Sequence, residues 1–445
     1  MKTIAKGDSS MVKATSVDAT GRLHQEVLRA LDLGMLARWD RDRLREEVRR
    51  LARHLAGTTG TRLDDASRDL LADRVVSETF GLGPLDEFMT DPDVNDILVN
   101  GASEIWVDRQ GVLSRTGLTF RDDAHLLATI QRILAPIGRR VDEASPTVDA
   151  RLPDGSRVHA LLPPLSLQGP VLSVRRFGRR LNGEGLLANG TLPNEALEFL
   201  SACVKGRLSI LVSGGTGAGK TTLLNALSAS IPHGERVVTI EDSAELRLEH
   251  PHVVRLETRQ PGPDGKGEVS PRELVRNSLR MRPDRILLGE ARGAEAFDLL
   301  QAMNTGHEGS LATVHANDAR EALMRLEMMV LMAGIDLPLK SVRSYITAAV
   351  RVVVHMARLH GGSRRVLRIC ELRGIDSQGD YRLEPVFEFR QEAVRDGRAI
   401  GRFRATGEVP ESLEKLGASG IELARERFAA RWIEASGAEG ARHAA

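Results

Sequence analysis

One segment of the chain has the residue types and spacing of a phosphate-binding loop. The sequence GGTGAGKTT begins at Gly214 and matches the pattern G-x-x-x-x-G-K-[S/T] in full. Glycines at these positions let backbone N–H groups turn toward a phosphate at the start of a helix. Lys220 is expected to reach the β- and γ-phosphates of ATP, and the Thr221 hydroxyl to bind Mg²⁺. The predicted nucleotide-binding residues are Gly214, Gly215, Thr216, Gly217, Ala218, Gly219, Lys220, Thr221 and Thr222.

Two carboxylates follow apolar segments that we predict to be strands of one sheet. Hydrolysis of ATP needs groups that hold the metal and orient the attacking water. Residues 237–240 lead to Glu241, and residues 285–288 lead to Gly289 and Glu290. In many P-loop enzymes an aspartate stands where this chain has Gly289, so Glu290 becomes the predicted water-orienting carboxylate. Glu241 is predicted to assist with water or metal, with a solvated carboxylate at a strand end as the alternative.

Two histidines lie close together in the sequence TGHEGSLATVHAND. A helix is predicted to end at Gly306, just before His307, and a strand over 310–314 is predicted to end just before His315. Because ligands bind at the carboxyl ends of strands in open α/β sheets, His315 is expected at the same edge as Lys220. At least one of the two histidines is predicted to contact the γ-phosphate or a water. The alternative is that each only stabilises its own loop, and no cysteine or third histidine has spacing suited to zinc.

The elements that position these residues are predicted from periodicity and turn residues. Apolar positions four apart, such as Leu44, Val48, Leu51 and Leu55, predict helices, and alternating segments such as NDILVN predict strands. Residues 253–257 are predicted as a hairpin strand, followed by a Gly/Pro loop and a helix starting at Ser270. The predicted fold class is α/β, with a P-loop NTPase (RecA-like) motor domain preceded by an α+β N-terminal domain and a helical bundle.

These patterns divide the chain into six predicted segments. A helical bundle and loose helices that pack on the next domain are equally compatible with the second segment. The segments are a disordered tail (1–20), a helical bundle (21–80), an α+β N-terminal domain (81–180), a Gly-rich linker (181–192), a P-loop ATPase motor domain (193–360) and a C-terminal extension (361–445).

Composition excludes several classes of function. The 445 residues carry a net charge of +1 and only 3% aromatic residues, which gives no support for direct binding to nucleic acid. Two cysteines cannot form a disulfide framework and fit a reducing cytoplasm. No apolar run is long enough to span a bilayer, so any membrane role is expected to act through a partner.

The motifs together resemble a known family. GGTGAGKTT, TIEDSAEL and LRMRPDRILLGEARGAEAFDLLQAMNTGHEGSLATVHAN resemble the secretion superfamily ATPases that power type II secretion, type IV pili and type IV secretion. Those proteins carry a phosphate loop, an acidic box, a third-strand Gly-Glu motif and a histidine box. By this resemblance Glu241, Glu290, His307 and His315 are the predicted catalytic residues, and Glu241 and Thr221 the predicted metal ligands.

Segments outside the motor motifs resemble one branch of that family. GLGPLDEFMTDPDVNDILVNG, SPTVDARLPDGSRVHALLPPLS and the tail GRFRATGEVPESLEKLGASGIELARERF resemble the tight-adherence (Flp) pilus branch, which is CpaF-like. The resemblance covers roughly residues 20–430. The chain lacks the four-cysteine zinc insert that pilus-extension and type II secretion motors usually carry.

The resemblance implies an assembly and a function. It implies a cytoplasmic homohexamer, with each nucleotide between motor and N-terminal domains, that powers pilus assembly through an inner-membrane platform protein. Family arginines that reach the γ-phosphate come from the N-terminal side, where Arg157, Arg175 and Arg176 are candidates by position. Two alternatives stay open: a type IV secretion ATPase that moves protein or DNA, and a nucleotide-dependent scaffold or switch with little turnover.

Overall fold

The chain divides into two compact units, residues 1–179 and 180–445. The computed structural model describes residues 27, 41–59, 64–109, 111–176, 181–259, 261 and 266–433. The tail predicted at 1–20 and most of residues 21–40, the start of the predicted helical bundle, therefore lie outside the described residues. No helix of the described part combines the length and apolar character needed to cross a bilayer.

Two described helices of the first unit pack on each other. Helix α1 is Arg41–Thr59 and helix α2 is Asp65–Phe80, capped by the Asp64 carboxylate, which accepts the Ser67 N–H at 2.8 Å. The predicted periodicity is confirmed, because Leu44 and Val48 of α1 are buried against Leu71 and Val75 of α2.

A six-stranded antiparallel sheet forms the rest of the first unit. Its strand order is β3-β2-β1-β6-β5-β4, and the buried faces of β1 and β6 pack against α4. The neighbouring strands β2–β3 and β4–β5 form hairpins. The elements are α3 (Asp86–Thr90), β1 (Val94–Asn100), β2 (Ile105–Arg109), β3 (Val112–Arg115), α4 (Asp123–Leu134), β4 (Thr147–Arg151), β5 (Arg157–Leu161) and β6 (Val171–Arg175).

The second unit is built on one ten-stranded sheet. Its strand order is β16-β15-β14-β13-β12-β7-β11-β10-β8-β9. Strands β12, β7, β11, β10, β8 and β9 are parallel, and β13 to β16 extend the sheet in antiparallel fashion. The strands are β7 (Ile210–Gly214), β8 (Val237–Glu241), β9 (Val253–Glu257), β10 (Arg285–Ala291), β11 (Leu311–Val314), β12 (Val352–Arg358), β13 (Arg364–Ile375), β14 (Tyr381–Arg395), β15 (Arg398–Ala405) and β16 (Arg431–Ile433).

Helices cover both faces of this sheet, which explains why its central strands are apolar throughout. Every residue of β7 and of β8 is buried, as expected for parallel strands covered on both faces. The helices are α5 (Gly183–Ala188), α6 (Asn194–Lys205), α7 (Lys220–Ser228), α8 (Pro271–Ser278), α9 (Glu295–Asn304), α10 (Ala319–Met332), α11 (Leu339–Ala349) and α12 (Leu413–Ala418). The predicted α/β fold class is confirmed.

The local helix signals are confirmed in detail. Helix α8 begins at Pro271, and the N-cap Ser270 and Glu273 exchange the two hydrogen bonds of a capping box. Helix α9 ends at Asn304 and is followed by Gly306 with φ of 100°, a left-handed conformation that favours glycine.

Three sequence expectations differ from the structure. Strand β9 pairs with β8 in parallel rather than as a hairpin. Residues 181–192, predicted as a linker, contain α5, and Leu186 and Leu192 are buried in the core of the second unit. The extension predicted at 361–445 is not separate, because β13 to β16 continue the motor sheet. Each difference arises from long-range pairing or burial that glycine content and periodicity do not encode.

Candidate ATP-binding and hydrolysis site

The phosphate-binding loop lies between β7 and α7, in the predicted strand–loop–helix context. Gly217 and Gly219 have φ of 69° and 99°, and residues other than glycine adopt such values only with strain. Helix α7 begins at Lys220, and its N-cap Gly219 supplies no side-chain hydrogen bond. The first-turn N–H groups of α7, including those of Thr221 and Thr222, therefore face the position where a phosphate binds.

Lys220 is half-buried at the mouth of this loop. Its Nζ donates to the carbonyl oxygens of Gly214 at 2.9 Å and Gly215 at 3.1 Å. Burial lowers the pKa of the Lys220 ammonium, while the nearby Glu290 carboxylate opposes that shift. A phosphate would replace neutral carbonyl partners with anionic ones, so the ammonium is placed to move onto an arriving nucleotide.

Glu290 lies in a β-bulge of β10 beside Lys220. Leu288 pairs with Ala312 of β11, but the next pair joins Ala291 to Val314, so Gly289 and Glu290 oppose one residue of β11. Bulges turn side chains away from the regular strand alternation. The Glu290 Oε1 lies 3.7 Å from the Lys220 Nζ. The structure therefore brings together the two groups that the sequence predicted for phosphate binding and water orientation.

Arg292 orients Glu290 and was missed by the sequence reasoning. Its Nε donates to the Glu290 Oε2 at 2.7 Å, and its Nη1 donates to the Asp242 carboxylate at 2.9 Å. Residues two apart on an extended segment face the same side, so the sequence GEARG contained the signal. Because Arg292 is exposed, its ion pairs add little to the free energy of unfolding. Their effect is to hold the Glu290 carboxylate in position.

Glu241 is buried at the carboxyl end of β8, so the alternative of a solvated carboxylate is wrong. Its Oε2 accepts the N–H groups of Glu245 and Leu246, both at 2.7 Å, while its Oε1 is buried without a hydrogen-bond partner among the described residues. Burial raises the pKa of Glu241 to about 7, and the two backbone N–H donors oppose this shift. An unpaired buried carboxylate oxygen favours an additional ligand such as water or a cation.

The unusual Gly289 is explained by the Glu241 side chain. A Cβ atom added at Gly289 would lie 2.9 Å from the Glu241 Cγ and 3.5 Å from its Cβ. Carbon atoms do not approach that closely without displacement, so an aspartate at position 289 would collide with Glu241. In this chain the Glu241 side chain from β8 thus occupies the space next to Gly289.

The site fits Mg²⁺ bound with ATP. No group of three or more His, Cys, Asp or Glu that could hold a metal by itself occurs in the part of the chain that the structure describes. Mg²⁺ at nucleotide sites is usually bound by one or two protein groups together with phosphates and water. The Thr221 hydroxyl on the first turn of α7 and the unpaired Glu241 Oε1 are the residues that would hold it.

The two histidines lie at opposite edges of the sheet. His315 follows β11, whose Val314 pairs with Ser213 just before the phosphate-binding loop, so His315 is at the carboxyl edge as predicted. His307 precedes β11. Its carbonyl accepts the Ser310 hydroxyl at 2.8 Å, and that hydroxyl also accepts the N–H of Ile286 at the amino end of β10.

His307 is therefore not brought to the nucleotide edge, although the family resemblance made it a predicted catalytic residue alongside His315. The physical reason is the direction of β11, because residues before and after one parallel strand lie at opposite edges. Any effect of His307 on hydrolysis acts through the loop that joins α9 to β11.

The three arginines predicted to reach the γ-phosphate lie in the first unit. Arg157 and Arg175 are exposed, and they face each other on β5 and β6. Arg176 has a different role, because its Nη1 donates to the carbonyls of Phe88 at 2.7 Å and of Asp91. That guanidinium stabilises its own domain.

Comparisons with known proteins identify relatives of this chain. A protein of Mycobacterium tuberculosis named "Putative conjugal transfer protein" is 42% identical over 304 residues, which are 67% of this chain and 86% of that protein. Type IV secretion system protein PtlH of Bordetella pertussis is 36% identical over 325 residues, with 67% and 95% covered. The crystal structure of the VirB11 ATPase from the Brucella suis type IV secretion system, in complex with sulphate, has 30% identity and a TM-score of 0.36 and covers 66% and 97%.

A family match covers most of both described units. Residues 78–398 match the family described as type II/IV secretion system protein, and this span is more than half of the chain. It includes the six-stranded sheet, the phosphate-binding loop, Glu241, Glu290 and both histidines. The chain therefore belongs to the type II/IV secretion system protein family.

Proposed function

We propose that this chain is the ring-forming cytoplasmic ATPase that powers assembly of a tight-adherence (Flp/type IVb) pilus at the inner membrane. The chain is an ATP hydrolase of the secretion and pilus type. The observation that carries the catalytic part is the bulged Glu290, whose carboxylate lies 3.7 Å from the Lys220 ammonium at the mouth of the phosphate-binding loop.

Each residue of the site has a different role in ATP hydrolysis. The loop N–H groups and Lys220 bind the phosphates, and Thr221 would hold Mg²⁺, which would supply positive charge at the phosphate oxygens. Glu290 orients the attacking water and accepts its proton, while Arg292 holds that carboxylate in place. Glu241 supplies a second carboxylate for water or metal. His315 stands at the same edge, where it can sense the γ-phosphate.

We propose that ring formation adds positive charge at the phosphate. Phosphoryl transfer needs positive charge at the leaving oxygens in addition to a lysine and Mg²⁺. Arg157 and Arg175 carry exposed positive charge on the first unit. We propose that they complete the site in a homohexamer, through a head-to-tail contact that closes by rotation. Light scattering with an ATP analogue and Mg²⁺ tests this, and a population that stays monomeric refutes the ring.

The pilus assignment rests on the segments around the motor. The N-terminal segments 81–101 and 145–166 and the tail 401–428 resemble the tight-adherence branch. The names of two relatives favour a second candidate, transport of protein or DNA by a type IV secretion system. PtlH is named as a type IV secretion protein, and the mycobacterial relative as a conjugal transfer protein.

Complementation distinguishes the two candidates. A strain that lacks the gene is complemented with the wild-type chain or with Glu290→Gln, and surface filaments, secreted protein and DNA transfer are measured. Filaments restored only by the wild-type chain support the pilus function. Restored secretion or transfer without filaments supports the alternative. Phosphate release by the purified protein separates a motor from a scaffold, because a scaffold with little turnover restores the phenotype with Glu290→Gln as well.

A further inference from the structure

The outer wall of the phosphate-binding loop is a hairpin that the sequence motifs did not include. Strand β12 lies beside β7 in parallel, so its carboxyl end reaches the same edge as the loop. The chain then turns at residues 359–363 and returns as β13, with Arg358 paired to Arg364 across the hairpin. A side chain at Gly214 would collide with the Met356 carbonyl, since an added Cβ would lie 2.4 Å from that oxygen.

Arg364 contacts the loop at two of its glycines. Its Nε donates to the Gly217 carbonyl at 2.9 Å. An added Cβ at Gly219 would lie 3.4 Å from the Arg364 Cδ, so the arginine stem packs on the residue just before Lys220. Arg364 is half-buried, which strengthens a charged hydrogen bond relative to an exposed one.

We propose that Arg364 is a positioning residue that holds the phosphate-binding loop in its ligand-ready conformation from the outside. A peptide group is planar and trans, so the Gly217 carbonyl and the Ala218 N–H point in opposite directions. By fixing that carbonyl outward, Arg364 turns the Ala218 N–H inward to the phosphate position.

The interior of the loop is consistent with this role. The inward Ala218 N–H donates to the Gly215 carbonyl, at a long 3.3 Å. The Lys220 ammonium also bonds to carbonyls of the loop. These interior bonds are the ones that a phosphate replaces, whereas the Arg364 bond on the outer side is retained. Arg364 therefore reduces the reorganisation needed for binding, and its loss should weaken ATP binding more than it slows the chemical step.

The neighbouring Arg365 provides a matched control. Its Nη1 donates to the Asn189 carbonyl at 2.7 Å, so it makes the same kind of bond from the same strand to a different loop. The variants are Arg364→Gln, Arg364→Lys and Arg365→Gln in the full chain. Each is measured for ATP affinity, for kcat and KM of hydrolysis, for thermal stability, and for amide hydrogen exchange without nucleotide.

Arg364→Gln is expected to weaken ATP binding and raise KM by about tenfold or more, equivalent to about 1.4 kcal/mol, with kcat within about threefold of wild type. Amide exchange should become faster over 214–219, and Arg364→Lys should recover part of both effects. Arg365→Gln should keep ATP affinity and speed exchange only near residues 189–190. If Arg364→Gln does not fold, Arg364→Lys must still show weaker binding and faster loop exchange than wild type.

Three results would overturn the proposal. One is wild-type affinity and loop exchange in Arg364→Gln, the second is a fall in kcat at unchanged KM, and the third is an equal loss of affinity in Arg365→Gln. The inference rests on the ATP hydrolase function and not on the pilus assignment. A wild-type chain that fails to bind ATP would refute that function, whereas tight binding by both wild type and Arg364→Gln refutes only the positioning role.

Discussion

We predict that the effect of Glu241→Gln on the free energy of unfolding depends on pH. Relative to the wild type, the variant should become more stable as the pH rises. The carboxyl group is buried, and its pKa is raised from 4.5 to about 7 by that burial. A carboxyl whose pKa is higher in the folded state favours folding below its unfolded pKa and loses that contribution as pH rises through the folded pKa. The relevant window is therefore pH 4.5 to about 7.

The pKa values set the size of the effect. One pKa unit corresponds to about 1.4 kcal/mol, so ionisation of Glu241 costs the folded state about 3 to 4 kcal/mol well above pH 7. Glutamine keeps the shape and retains an oxygen that can accept the N–H groups of Glu245 and Leu246. The stability of Glu241→Gln relative to wild type should therefore rise by about 2 to 3 kcal/mol between about pH 5 and pH 8.5.

Denaturant unfolding without nucleotide, in the presence of a metal chelator, measures this difference at each pH. Thr239→Val is the matched control, because Thr239 is buried on the same strand and has no titratable group. Its effect on the free energy of unfolding should not vary with pH. A Glu241→Gln effect that is constant with pH, or that declines as pH rises, would show that ionising the buried carboxylate does not destabilise the folded state.

Three further predictions concern hydrolysis. Lys220→Ala should lower turnover at least about 100-fold with an intact circular dichroism spectrum, and wild-type turnover would exclude this lysine from catalysis. Glu290→Gln should bind ATP in titrations but hydrolyse it roughly 100-fold more slowly, since charge is lost and shape is kept; near wild-type turnover would transfer the role to Glu241. His315→Ala should lower turnover while ATP affinity stays within about tenfold, whereas His307→Ala, at the other edge, should leave turnover closer to wild type. Equal losses of turnover in both histidine variants would contradict the placement of His315 and His307 at opposite edges of the sheet.

The sequence alone determined the features that are encoded by neighbouring residues. The phosphate-binding loop was predicted because its glycines, Lys220 and Thr221 are contiguous and lie between an apolar strand and a helix. The capped start of α8 at Ser270 was predictable for the same reason, since a capping box needs residues only three apart. Periodicity also located the strand that leads to Glu241.

Only the tertiary structure decided how distant residues meet at the site. The bulge that turns Glu290 toward Lys220 depends on the pairing of β10 with β11, and the contact of Glu241 with Gly289 depends on the neighbouring β8. Arg364 on β13 reaches the loop because the preceding strand β12 pairs with β7, and β7 lies more than a hundred residues earlier in the chain. Strand periodicity gives the face of each residue but not its partner strand, because pairing order is set by long-range packing. His307 shows the same dependence, since the direction of β11 places it at the edge opposite the nucleotide site.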